Sequence, residues 1–207
     1  MIEQNGILSK WNPGYPQPED DFTEDKYKDA TYRISMECEE CCRGVIQKGL
    51  FRVKKEPRWG SKHFFMLNWV PSELLVRSES ARVLMNAGIK GFEVKDVIIN
   101  SKNTVAEEVK QIFITEELEE GLIVNEGIKT VDVCPTCGNI QYIGSGRPKK
   151  FKKEIFENIE VDIIKTREVF GFGILNNRKI IISKKFYEVI KGNNMDRSLE
   201  IEPLMFD

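Results

Sequence analysis

Two stretches of this chain share one pattern of apolar and polar positions. The first, Leu74 to Ile99, reads LLVRSESARVLMNAGIKGFEVKDVII, and the second, Ile180 to Leu204, reads IIISKKFYEVIKGNNMDRSLEIEPL. Each opens with three apolar residues in a row, which predicts a short buried strand. Each then offers a serine, Ser78 or Ser183, whose hydroxyl can accept a bond from the free N–H groups of a first helical turn. Helical spacing follows, with Val83, Leu84 and Ala87 on one face in the first stretch and Phe186, Val189 and Ile190 in the second. Gly88 and Gly192 stand where a left-handed residue would end each helix. An extended segment closes both. The reading is two strand–helix–strand units, explained either by internal duplication or by chance recurrence of a common motif.

The remaining pattern is richer in strands than in helices. TYRISMEC (Thr31 to Cys38) reads as a strand running into cysteines, LFRVKKEPRWGSK as a short strand and loop, and HFFMLNWV (His63 to Val70) as a buried strand. Between the two units lie further strands with an acidic turn at Glu116, Glu117, Glu119 and Glu120. VDIIKTREVFGFGILNNRK predicts strands around a turn at Asn176 and Asn177. Residues 11–30, rich in Pro, Gly and acid, read as an extended arm that Trp11 and Tyr15 could pin down. The expected fold class is α+β: mixed sheets with short helices, a zinc-ribbon-like pair of knuckles and the two strand–helix–strand units. The expected segments are an arm with a first knuckle (1–44), an inserted α/β unit (45–129), a second knuckle (130–150) and a C-terminal α/β unit (151–207), compatible with one compact domain.

The knuckles rest on the cysteines. Cys38 and Cys41 form one C-x-x-C, with Cys42 next to it, and Cys134 and Cys137 form another. Four thiolates make a closed structural zinc site with Zn–S near 2.3 Å. In the second pair Pro135 stiffens the loop, and Gly138 can take positive φ so that backbone N–H groups turn toward sulfur. The strands expected on either side put this pair on a hairpin. The first pair has Glu39 in place of a proline and Cys42 in place of a glycine, and either Cys41 or Cys42 could supply the ligand. Roughly 90 residues separate the pairs; closing such a loop costs roughly 4 kcal/mol plus a constant, against an apparent 10–16 kcal/mol or so for structural zinc in small peptides. The metal term wins. The rivals are a redox pair, a disulfide, and buried cysteines acting as small apolar residues. A thioredoxin-type pair wants a helix after its first cysteine, and GNIQYIGSG follows here.

Composition narrows the function classes. The chain has 207 residues, 41% apolar and 31% charged, enough to bury a core, so metal need not be its sole source of stability. Net charge is −2, which argues against a dedicated nucleic-acid binder. The basic loop Arg147, Lys149, Lys150, Lys152 and Lys153 keeps a zinc-ribbon nucleic-acid-binding or regulatory protein as the alternative. No basic n-region and apolar run mark a secretory signal, and no apolar run is long enough to span a bilayer. The expected compartment is the cytoplasm, where an odd five cysteines suit metal or free thiols better than disulfides. His63 is the one histidine, no phosphate-loop or nucleophile-elbow motif is present, and the carboxylates form no recognisable pair. The chain offers no catalytic constellation.

The early CEEC, the run FFMLNWVPSELLV with its helix, CPTCG, VDIIKT and the closing Ile180 to Pro203 segment together resemble the bacterial double-CXXCG-motif family. The resemblance covers most of the chain from Cys38 onward; Cys42 takes the place of the family's first glycine. It implies structural zinc held by Cys38, Cys41, Cys134 and Cys137. It also implies the role of some members, which are cytoplasmic immunity proteins that neutralise a cognate toxin. The acidic stretch Glu116 to Glu120 and the acidic amino-terminal arm would then be the faces offered to a basic toxin.

Overall fold

The computed structural model describes residues 5–9, 31–34, 38, 40, 45–53, 55–67, 70–124, 127–143, 150–171 and 177–207; the predicted arm at 11–30 lies outside them. Along the chain come β1 (Asn5–Ser9), β2 (Tyr32–Ile34), β3 (Val45–Gln47), β4 (Phe51–Val53), β5 (Phe64–Leu67), β6 (Val70–Arg77) and helix α1 (Ser78–Asn86). There follow β7 (Phe92–Ile99), β8 (Thr104–Ile114), β9 (Glu117–Leu118), β10 (Lys129–Val133), β11 (Ile140–Ile143), β12 (Lys150–Phe151) and β13 (Ile163–Phe170). The last elements are β14 (Asn177–Ile182), helix α2 (Lys184–Gly192), β15 (Leu199–Pro203) and β16 (Met205–Phe206). The architecture is α+β, mostly strands in mixed sheets, with two short helices among the described residues.

One sheet has the order β4-β7-β8-β6-β5. A second large sheet runs β10-β11-β13-β14-β1-β15, with β9 pairing beside β11 on the same edge of β13, and β2–β3 and β12–β16 form two-stranded sheets of their own. The three-residue apolar openings of the two units are strands buried on both faces, as unbroken apolar runs require. In β6, Leu74 and Val76 face the central core while Leu75 faces a second cluster with Phe51, Trp59, Phe65 and Val97. In β14, Ile180 and Ile182 face that same central core, and Ile181 faces a third cluster with Phe151, Phe156 and Ile164. Leu84 of α1 and Phe186 and Ile190 of α2 complete the central core. One apolar interior therefore joins both sheets and both helices, across the boundaries expected from sequence.

Both strand–helix–strand units are present, β6–α1–β7 and β14–α2–β15. Their helix ends differ from expectation in two places. Ser183 is an N-cap, its hydroxyl accepting from the Phe186 N–H at 3.1 Å. Ser78 is not: Arg77 takes the cap position, and Ser78 is the first helical residue, with its hydroxyl donating to the Glu107 carbonyl. At the other end Gly88 takes the left-handed conformation with φ of 64°. Gly192 is instead the last residue of α2, and Asn194 holds the left-handed position at 55°. Asparagine tolerates that region better than most side chains.

Candidate metal centre

The two cysteine-bearing segments each join the strands of an antiparallel pair. Cys38 lies between β2 and β3, and Cys134 and Cys137 lie in the turn between β10 and β11. The turn has the geometry the sequence called for. Gly138 has φ of 71°, its N–H donates to the Cys134 carbonyl at 2.9 Å, and the Cys134 N–H donates to the Asn139 carbonyl at 3.0 Å. A glycine meets that positive φ without steric cost. The bend turns the Cys137 and Thr136 backbone N–H groups onto the Cys134 sulfur.

Three sulfurs converge. Cys38 Sγ lies 3.4 Å from Cys134 Sγ, although 96 positions separate them. With Cys137, the three sulfurs all lie within 4.8 Å of one another. Four thiolates around zinc at 2.3 Å would stand about 3.8 Å apart, the edge of a tetrahedron of that size. The cluster spans that spacing, and soft sulfur donors suit zinc, copper(I) or iron. Cys38 and Cys134 are buried and Cys137 is exposed. The cluster can hold a metal ion. Cys41, the fourth residue expected from sequence, and Cys42 beside it lie outside the described residues.

The Cys134 thiol is pulled down to about 6 from 9.0, chiefly by the Cys137 backbone N–H. Burial opposes this, while the Thr136 N–H and the thiols of Cys38 and Cys137 add to it. Donors aimed at sulfur favour the thiolate, the form a metal binds. A hydrogen bond from the Thr136 hydroxyl to Glu40 Oε2 ties the two segments together outside the sulfurs.

The other residues singled out by sequence sit apart from this centre. His63 Nδ1 lies 2.8 Å from the hydroxyl of the buried Ser80. Burial, and next the Arg77 charge, push its pKa down. Ser80 is 1% exposed, so its hydroxyl is turned to His63 and away from solvent. In the acidic turn Glu117 is engaged by Arg178 and, at 3.9 Å, by Arg167, so it is no free charge. Glu116, Glu119 and Glu120 are exposed. Of the basic loop, Lys150 falls in β12 and Lys152 and Lys153 are exposed, while Arg147 and Lys149 lie outside the described residues.

Two polar features were not foreseen. Glu73, next to the buried run of β6, receives Lys165 Nζ from β13 at 2.9 Å and Gln111 Nε2 from β8 at 2.7 Å. Glu168 sits at a register shift in β13, and its Oε1 accepts the N–H groups of Gly121 and Leu122, both at 2.7 Å. A bulge re-aims a side chain in this way, and only the parity break in β13 could have signalled it. Compared with known proteins, the chain matches no family model, no curated protein and no solved structure.

Proposed function

We propose that this chain is a non-enzymatic immunity protein that binds and neutralises a cognate protein toxin in the cytoplasm, and that its cysteine cluster holds a structural zinc. Cys38, Cys134 and Cys137 are three of the ligands, and Cys41 is the fourth. The observation that carries the metal reading is the meeting of Cys38 with Cys134 and Cys137 across 96 positions. Four thiolates fill a tetrahedral zinc, leaving no position for substrate, so the metal braces the fold and does no chemistry. The toxin-binding role rests on the resemblance of the cysteine motifs and the segments around them. It is supported by a surface of exposed carboxylates at Glu116, Glu119 and Glu120, which could steer a basic partner. Among the described residues no helix is long and apolar enough to cross a membrane.

Two experiments test the halves separately. Elemental analysis of protein purified without added metal should find one zinc per chain, and its absence would remove the structural zinc. Co-expression with the product of the neighbouring gene should rescue growth and yield a complex, whereas toxicity without rescue would refute the immunity role. A salt-dependent mobility shift with DNA or RNA would favour the nucleic-acid-binding alternative.

A further inference from the structure

The two strand–helix–strand units are alike beyond their sequence pattern. In the first, β8 lies between β6 and β7 and runs antiparallel to both. In the second, β1 lies between β14 and β15 and runs antiparallel to both. Each unit is preceded by a strand that pairs antiparallel with its first strand, β5 with β6 and β13 with β14. The helix ends match bond for bond. Ala87 N–H to Val83, Gly88 to Met85 and Ile89 to Leu84 correspond to Asn193 to Val189, Asn194 to Lys191 and Met195 to Ile190. Gly88 and Asn194 share the left-handed φ, and Ile89 and Met195 are both buried behind it. The two units share one plan in their strand order, their inserted strand and their helix cap.

They differ in where the inserted strand comes from. In the first unit it follows β7 through a four-residue turn, 100–103. In the second, the chain leaves β15 at Pro203 and pairs Met205–Phe206 with β12 instead. The slot is filled by β1, from far upstream in the sequence, roughly 20 residues before β2. Without β1, the facing backbone edges of β14 and β15 would stand unpaired, and such edges capture another strand.

We infer that the slot between β14 and β15 is a strand-acceptor site, and that its partner beyond this chain's own β1 is the β1 segment of a second copy. Exchange of an identical element keeps every contact and is a low-cost route to a dimer. A second copy's β1 competes with the chain's own in proportion to its concentration, so high protein concentration favours exchange.

The test uses the full chain carrying Ile7→Pro. Ile7 pairs with Ile180 on one side and Ile201 on the other, and proline removes its ladder donor. The variant should melt lower than the wild type. A synthetic peptide of residues 3–11 should restore the melting temperature in a saturable way at sub-millimolar concentration, and the same peptide with the proline should not. No restoration by the wild-type peptide, or equal restoration by both, overturns the inference, as does a variant that melts like the wild type. If the variant does not fold, two differently tagged wild-type chains refolded together decide instead. A mixed dimer whose share grows with refolding concentration supports exchange; monomers alone up to about millimolar concentration overturn it.

Discussion

Replacing Cys38 by serine removes one sulfur from the cluster and leaves the β10–β11 turn untouched. The size of the effect follows from the geometry. A cross-link between positions 96 apart would restrict the unfolded chain by about 4.7 kcal/mol if it persisted there. A metal bound by the native state alone stabilises by mass action, about 4.1 kcal/mol at a thousandfold excess over its dissociation constant. Both routes place the metal's contribution near 4 kcal/mol. For a chain of this length one kcal/mol moves the melting temperature by about 2–4 °C. Cys38→Ser should therefore melt roughly 8–16 °C below the metal-bound wild type. Serine in place of a thiol that is 5% exposed costs something by itself, so the discriminating measurement is the response to chelator. Stripping metal should lower the wild type by most of that interval and leave the variant where it is. Scanning calorimetry with and without chelator, beside elemental analysis, reads both. Equal chelator responses, or a variant within about 2 °C of the metal-loaded wild type, would refute the claim that a metal held through Cys38 braces the fold.

Phe186 is fully buried in the shared core, so Phe186→Ala should cost about 3–5 kcal/mol, whereas Met85→Ala on the exposed side of α1 should stay within about 0.5 kcal/mol. Denaturant titrations of both compare them directly. Ser183 caps α2 and also donates to Asp162 Oδ1 at 2.7 Å. Ser183→Ala should therefore lose about 1–2 kcal/mol, and Ser78→Ala, with no cap to break, should lose about 0.5 kcal/mol or less; equal losses would contradict the cap assignment. Because His63 has its pKa lowered by burial and then by Arg77, the unfolded chain takes up that proton first. Its effect on stability is absent above the ordinary histidine value of 6.5 and destabilising as pH falls below it. Urea midpoints at acid and neutral pH should therefore differ less in His63→Gln than in the wild type.

The parts of the fold that were legible in sequence are those set by near neighbours. Three apolar residues before a helix-length pattern signalled β6 and β14 because strands buried on both faces carry no alternation. The β10–β11 turn was readable because Pro135 and Gly138 are specific to that bend. Ser78 and Gly192 depart from expectation because each helix ends on its own local chemistry. Arg77 begins α1 without a cap, and Asn194 does in α2 what Gly88 does in α1. No local pattern could show that β1 crosses to lie between β14 and β15, or that Lys165 meets Glu73, because both partners in each case lie far apart in the chain. The cysteine cluster was legible at long range only because thiol pairs at that spacing have few other uses.

The position of the cluster explains why a metal would be useful in a protein that already has a core. The β2–β3 pair is held on one side by its side-chain amide: Gln47 and Gln111 of β8 exchange two hydrogen bonds, at 2.9 and 2.7 Å. Gln111 then reaches Glu73 of β6, and Glu73 reaches Lys165 of β13 in the other sheet. On its other side the same segment meets the β10–β11 turn through Cys38, and β11 pairs with the far end of β13. These contacts close a ring that passes through both sheets. The polar half consists of bonds each contributing about 1 kcal/mol net, somewhat more where a charge takes part. The sulfur half without metal is a contact between thiols, which are weak donors and acceptors. A metal at the sulfurs would make the weakest link of the ring its strongest, holding the β2–β3 pair against both sheets.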